Sequence, residues 1–183
     1  MDYKVKSVLV DAAGFNRTIT RLAHEIIERN RGTADLAFVG MQTRGVYLAR
    51  RLAQKIAEIE QMNVPVGVLD TTMYRDDYRT ALKQPKVQAT EIPFDLYNMN
   101  VVLVDDVLYT GRTVRAALDA LMDIGRPKRI QLAVLVDRGH RELPIKPDFV
   151  GRNVPTSMNE EVRVLMSEVD DEDSILLVEV TQS

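Results

Sequence analysis

The 183-residue chain contains no cysteine and only two histidines, His24 and His140. The first absence excludes disulfides, thiolate metal sites and cysteine nucleophiles together. The second leaves no material for a histidine-built metal cluster, so no residues are assigned to a resident metal. No apolar run approaches the ~20 residues needed to cross a bilayer, and no signal-peptide pattern opens the sequence. The expectation is a cytoplasmic protein without membrane contact. There is no internal repeat, no low-complexity linker and no persuasive nucleophile triad.

The net charge of -3 argues against indiscriminate nucleic-acid binding, but its distribution is uneven. Between Asn159 and Asp173 the acids Glu160, Glu161, Glu168, Asp170, Asp171, Glu172 and Asp173 face one base, Arg163, whereas Arg126 to Arg152 is rich in Arg and Lys. An acidic end can thus mask a basic face elsewhere. The apolar fraction of 45% and charged fraction of 28% are those of an ordinary globular protein, and a chain of this length suits one α/β domain, residues 1–183, burying roughly 70% of its unfolded surface.

Strand and helix patterns alternate. Arg17 to Arg29 carries Ile19, Leu22, Ala23, Ile26 and Ile27 at helical spacing, with Asn16 as a plausible cap and an end near Gly32. Leu36-Ala37-Phe38-Val39 reads as a buried strand, Val46 to Ile59 as a second amphipathic helix, and Val64 to Leu69 as the next strand. Strands follow at Val101 to Val104, Ile130 to Val136, Val162 to Met166 and Ile175 to Val180, with a helix from Val114 to about Ile124. The alternation implies a mostly parallel sheet flanked by helices.

The chemistry is concentrated in Val101-Val102-Leu103-Val104-Asp105-Asp106-Val107-Leu108-Tyr109-Thr110-Gly111-Arg112-Thr113. The β-branched run suits a strand buried on both faces, and ligands gather at the carboxyl ends of such strands. Two carboxylates there can accept hydrogen bonds from vicinal sugar hydroxyls and lie near a metal-phosphate complex. Thr110 to Thr113 forms a turn of amides and hydroxyls at a helix start, a site for a phosphate dianion. The segment lacks the Gly-x-x-x-x-Gly-Lys of a P-loop and the Gly-x-Gly-x-x-Gly of a dinucleotide site. Its apolar tetrad, acid pair, four-residue turn and helix fit a phosphorylated sugar.

Three further segments belong to the same edge of the sheet. Gly40-Met41-Gln42-Thr43-Arg44-Gly45 opens beside the acids, and Thr43 and Arg44 are candidates for oxyanion contact; taken alone, an ordinary turn explains it as well. Residues 71–93 form a polar stretch without periodicity, in which Arg75 and Arg79 stand ready for a departing anion, or simply solvate a loop. Residues 137–160 suggest a hood over a planar base, with Phe149 as an apolar face and backbone near Arg138 and Val150 reading its amide edge; a surface turn with one core aromatic accounts for these residues equally well.

Segment 101–113 resembles the phosphoribosyl pyrophosphate (PRPP) motif of type I phosphoribosyltransferases. Together with Thr20-Arg21-Leu22-Ala23-His24-Glu25, Gln42-Thr43-Arg44-Gly45, Tyr74-Arg75-Asp76-Asp77 and Asp137-Arg138-Gly139-His140-Arg141-Glu142-Leu143-Pro144, it makes the chain similar, nearly end to end, to the branch of that family that regulates pyrimidine operons by transcription attenuation. The resemblance implies a type I phosphoribosyltransferase fold with a hood and a flexible loop. It implies conversion of uracil and PRPP to UMP and pyrophosphate, with Mg2+ carried on PRPP, and UMP-dependent binding of a leader-mRNA hairpin. A homodimer or higher homo-oligomer is implied as well. Asp105 and Asp106 would then hold ribose hydroxyls, Thr110 to Thr113 the 5′-phosphate, and Arg44 with Arg75 and Arg79 the pyrophosphate. The resemblance also implies a cis peptide in the pyrophosphate loop, expected between Thr43 and Arg44. It places RNA contacts at Thr20, Arg21, His24, Arg29, Arg141, Lys146 and Arg152. Met41 stands where the family has Ile, and residues 79–91 diverge from it. A salvage enzyme without RNA binding, or a nucleotide-binding module without catalysis, are the competing readings.

Overall fold

The computed structural model describes residues 3–75 and 89–180. Strand β2 (Leu36–Met41), β3 (Val66–Leu69), β4 (Asn100–Leu108), β5 (Arg129–Asp137) and β6 (Phe149–Asn153) form a five-stranded sheet in the order β3-β2-β4-β5-β6. Each pairing in it is parallel. β1 (Tyr3–Val10), β8 (Ser174–Val180) and β7 (Glu160–Leu165) make a separate antiparallel sheet in the order β1-β8-β7.

The helices are α1 (Ala12–Asn30), α2 (Arg44–Glu60), α3 (Arg112–Ile124) and the short α4 (Ser167–Asp170). Alternation along β4 divides its side chains between two cores. Val102 and Val104 join Phe15, Leu22, Ile26, Leu48, Leu52 and Ile56 of α1 and α2, while Val101 and Leu103 join Val114, Ala117 and Leu121 of α3. Val101, Val102, Leu103 and Val104 are all buried. Their side chains therefore seat the strand and offer no surface to a ligand, although they belong to the 101–113 segment in which the chemistry is concentrated.

Helix α1 begins earlier than its apolar spacing suggests. Asp11, not Asn16, is its cap, accepting from the Gly14 amide at 2.7 Å, and the helix closes on Arg31 in the left-handed region. Asn16 lies inside the helix. β1 and β6 were not expected. β1 is largely exposed, with Tyr3, Val5 and Val8 all open to solvent, although Tyr3-Lys4-Val5-Lys6 alternates as a strand does.

Candidate functional site

β4 runs on through both acids to Leu108, so Asp105 and Asp106 sit within the strand and not beyond it. The reason is pairing: β5 accompanies β4 as far as Leu108↔Asp137, whereas β2 accompanies it only as far as Gly40↔Val104. Past Val104 that flank of the strand meets the start of α2 instead, and a Cβ on Gly45 would lie 2.4 Å from the Val104 carbonyl oxygen. The 40–45 loop is thereby seated on the backbone of the acid pair, as the shared sheet edge requires.

Asp105 Oδ1 accepts from the Asp106 amide at 2.9 Å and Asp106 Oδ1 from the Val107 amide at 2.8 Å. Burial first, and the neighbouring Asp106 second, push the Asp105 carboxyl well above the usual carboxylate range, while Arg75 nearby opposes the rise. A cation-bearing or hydroxyl-donating ligand would favour the charged form.

The helices that start on this edge differ from α1 in one respect. Neither N-cap residue, Thr43 of α2 or Gly111 of α3, caps its helix through a side chain, whereas Asp11 caps α1; at α3 only the Arg112 amide finds a weak side-chain partner, Thr110 Oγ1 at 3.3 Å. Uncapped first-turn amides are a ready anion site. Gly111, at φ 91°, turns the chain where a side chain would be strained. A cavity of about 310 Å³ lies over this turn, lined by Arg75, Asp105, Val107, Leu108, Tyr109, Thr110, Gly111, Arg112, Thr113, Val114 and Glu142. The sequence-derived residues 107–113 and Arg75 are thus brought together. Arg79 lies outside the described residues.

Other expectations are corrected. The cis peptide joins Gln42 and Thr43, one residue before the expected bond, because Arg44 already belongs to the regular turn of α2. Thr43 is its N-cap. Arg44 does not line the cavity; its guanidinium forms a bidentate pair with Asp170, at 2.8 and 3.2 Å. Phe149 is buried in the α1/α2 core at 3% exposure and cannot stack on a base. Register explains why: Phe149 pairs with Ala133, level with Val104, so it sits below the ligand edge, while Asn153 stands beside Asp137 at that edge. Val150 points to the opposite core. Arg138 is also buried, its guanidinium 4.1 Å from the centroid of the Tyr109 ring and donating to the Glu160 carbonyl. Tyr109, with His140 edge-on at 6.0 Å, is the aromatic that reaches the edge.

The residues expected to meet RNA divide into two groups. Arg21 and Arg152 line one groove of about 680 Å³, together with Arg17 and Thr18, between β1, the start of α1 and the end of β6. Arg17 was missed, although its i, i+4 relation to Arg21 places both on one helix face. Thr20 donates to the Asn16 carbonyl and His24 is exposed on the same helix. Arg29 lies about 12 Å further along α1, near Asp148 at 3.6 Å, and Lys146 is exposed. Arg141 is different: it donates to the carbonyls of Tyr109 and Ile145 and to Asp137, at 2.7, 2.8 and 2.6 Å, fastening the hood to the PRPP-like segment. Its guanidinium is engaged inside the chain, as are those of Arg21, which donates to Glu25 and to the Gly151 carbonyl, and of Arg152, which donates to the Leu9 carbonyl at 2.6 Å.

Part of the acidic segment after Asn159 is paired with bases from other elements. Glu160 pairs with Lys6, Asp170 with Arg44, and Glu168 and Asp173 with Arg51. Among the described residues, no helix is long and apolar enough to cross a membrane, and no group of three His, Asp or Glu side chains is placed to hold a metal ion.

Residues 7–167 match the phosphoribosyl transferase domain family. The chain is 59% identical over 177 residues to "Bifunctional protein PyrR" of Pelotomaculum thermopropionicum, covering 97% of this chain and 98% of that protein. It is 61% identical over 176 residues to the protein of the same name from Thermus aquaticus, covering 96% and 97%. In fold it is similar to the hypoxanthine phosphoribosyltransferase of Trypanosoma cruzi, with a TM-score of 0.73 at 15% identity over 97% of this chain and 98% of that one. A hypoxanthine-guanine phosphoribosyltransferase from Bacillus anthracis gives 0.71 at 16% identity, over 97% and 99%.

Proposed function

The chain belongs to the phosphoribosyl transferase domain family, and from that premise we propose that it is a bifunctional protein of the PyrR kind, a uracil phosphoribosyltransferase that also regulates pyrimidine-operon transcription by binding leader RNA. The observation that carries the catalytic half is the convergence of Asp105, Arg75 and the turn 110–113 at the start of α3 on one cavity.

In this reading a nitrogen of uracil attacks the anomeric carbon of PRPP as the bond to pyrophosphate breaks, giving UMP and pyrophosphate. No protein nucleophile is needed. Asp105 and Asp106 orient the ribose through its hydroxyls, and the amides of the 110–113 turn hold the 5′-phosphate. Arg75, beside Asp105, and the amides of the 42–45 loop stabilise charge that develops on the leaving diphosphate. Mg2+ would arrive with PRPP and neutralise the diphosphate. A cation that keeps several waters and takes one or two carboxylates fits an adjacent acid pair better than a closed cage. Because Phe149 is buried, the base lies among Val107, Tyr109 and the backbone that follows Asp137.

The regulatory half rests on the groove in which Arg17, Arg21 and Arg152 converge. Three guanidiniums on one concave face, two of them oriented by main-chain carbonyls (Arg21 by Gly151, Arg152 by Leu9), suit an RNA backbone through their remaining N–H groups, with Thr20 and His24 beside them on α1 for loop nucleotides or 2′-hydroxyls. The protein works in the cytoplasm as a homodimer or higher homo-oligomer. The test is twofold: pyrophosphate release from uracil and PRPP, and titration of a pyrimidine-operon leader RNA with and without UMP. Turnover together with tighter RNA binding in UMP supports the proposal. Turnover without RNA binding in either condition reduces it to a salvage enzyme.

A further inference from the structure

The cavity over the phosphate turn is lined by two carboxylates. Asp105 has a role toward the ribose. Glu142 has none, and a carboxylate in a pocket for a dianion opposes its ligand. Glu142 Oε2 accepts from Arg112 Nε at 2.6 Å, across the mouth of the turn, with both side chains roughly half exposed.

The backbone around Glu142 is fixed to the same turn. The amides of Glu142 and Leu143 both donate to the Thr110 carbonyl, at 2.9 and 3.2 Å. Leu143 and Ile145 lie against Gly111, where a Cβ would meet them at 3.3 to 3.5 Å. A ligand entering the turn therefore cannot push the Glu142 main chain aside without breaking these contacts, but its side chain, open to solvent, can rotate away.

We propose that Glu142 is an internal competitor for the 5′-phosphate. Its carboxylate engages Arg112 while the turn is empty and yields when a phosphate dianion binds, so that Glu142 sets the affinity of the site for phosphorylated ligands. This rests on the reading that residues 110–113 hold the phosphate. It makes opposite demands on the two partners. Removing the carboxylate removes a competing anion, whereas removing the guanidinium leaves that anion facing the ligand.

The experiment is calorimetric titration of UMP, inorganic phosphate and uridine into the full-length protein, its Glu142→Gln and Glu142→Ala variants, and Arg112→Gln, each checked for an unchanged melting profile. Both Glu142 variants should bind UMP and phosphate about two- to fivefold more tightly, the scale of an exposed ion pair. Arg112→Gln should bind them more weakly, and uridine should not distinguish the proteins. If the pair merely props the hood, all three variants bind UMP more weakly; that result, equal affinities, or an equal gain for uridine overturns the inference while leaving the site assignment standing. Wild-type protein that binds neither UMP nor phosphate overturns both.

Discussion

Gly45, in the first turn of α2, lies on the backbone of Asp105: a Cβ at position 45 would stand 3.2 Å from the Asp105 Cα and 2.4 Å from the preceding carbonyl oxygen. Both neighbours are main chain in the sheet, so neither can give way as a flexible side chain would. Gly45→Ala is expected to cost about 1–3 kcal/mol of stability, as overpacking does. It should cost proportionally more activity, because a displacement of about 1 Å at a reacting centre can lower rates on the order of 100-fold. Urea denaturation alongside kcat/KM for PRPP checks both.

The raised Asp105 carboxyl sets a second expectation. A native pKa above the unfolded one means that the folded state binds the proton more tightly, so stability contributed by this group falls as pH rises from the ordinary carboxylate range toward the raised value. Asp105→Asn keeps the shape and the acceptor for the Asp106 amide but removes the partly buried charge. It should be more stable than wild type at pH 7, by about 0.5–2 kcal/mol, with the difference closing near pH 4. UMP formation should collapse. Thermal melts across pH, paired with turnover, report the trade.

The Arg51 cluster responds with the opposite sign. Hydrogen bonds from Arg51 hold the Glu168 and Asp173 carboxyls below their usual range. A depressed native pKa gives stability that is present above the unfolded value and is lost as pH falls through the native one. Wild type should therefore weaken steeply below about pH 4, a loss that starts at the unfolded carboxylate range. Arg51→Met should show a shallower acid decline and be about 1–2 kcal/mol less stable at pH 7, as read from denaturation midpoints.

Two arginines previously grouped together should separate in function. Arg152→Ala removes a cation from the groove shared with Arg17 and Arg21, so RNA affinity should fall and the slope of log affinity against log salt should flatten by about 1, with uracil turnover unchanged. Arg141→Ala cuts the hood's bonds to Tyr109, Asp137 and Ile145 and should lower turnover as well. Parallel RNA-binding and pyrophosphate assays distinguish them.

These predictions draw unequally on what the sequence makes visible. The acid pair, the turn at 110–113 and the strand and helix around them are legible because strand, turn and helix start are contiguous, and each has a local physical signature. Phe149 is not: that it serves the core follows from its register with Ala133 in β5, a long-range pairing that no local pattern encodes. The same holds for the Arg44–Asp170 pair, 126 residues apart in sequence. β1 is a different case: Tyr3-Lys4-Val5-Lys6 carries the alternation of a strand, so a local signal for it was present.

The central claim is that the acid pair on β4 and the amide turn before α3 hold the ribose and the phosphate of one nucleotide. A crystal structure with UMP tests it most directly. The account predicts phosphate oxygens within hydrogen-bond distance of the amides of residues 110–113 and the ribose hydroxyls on Asp105 and Asp106. A nucleotide seated elsewhere, with this turn unoccupied, would contradict it.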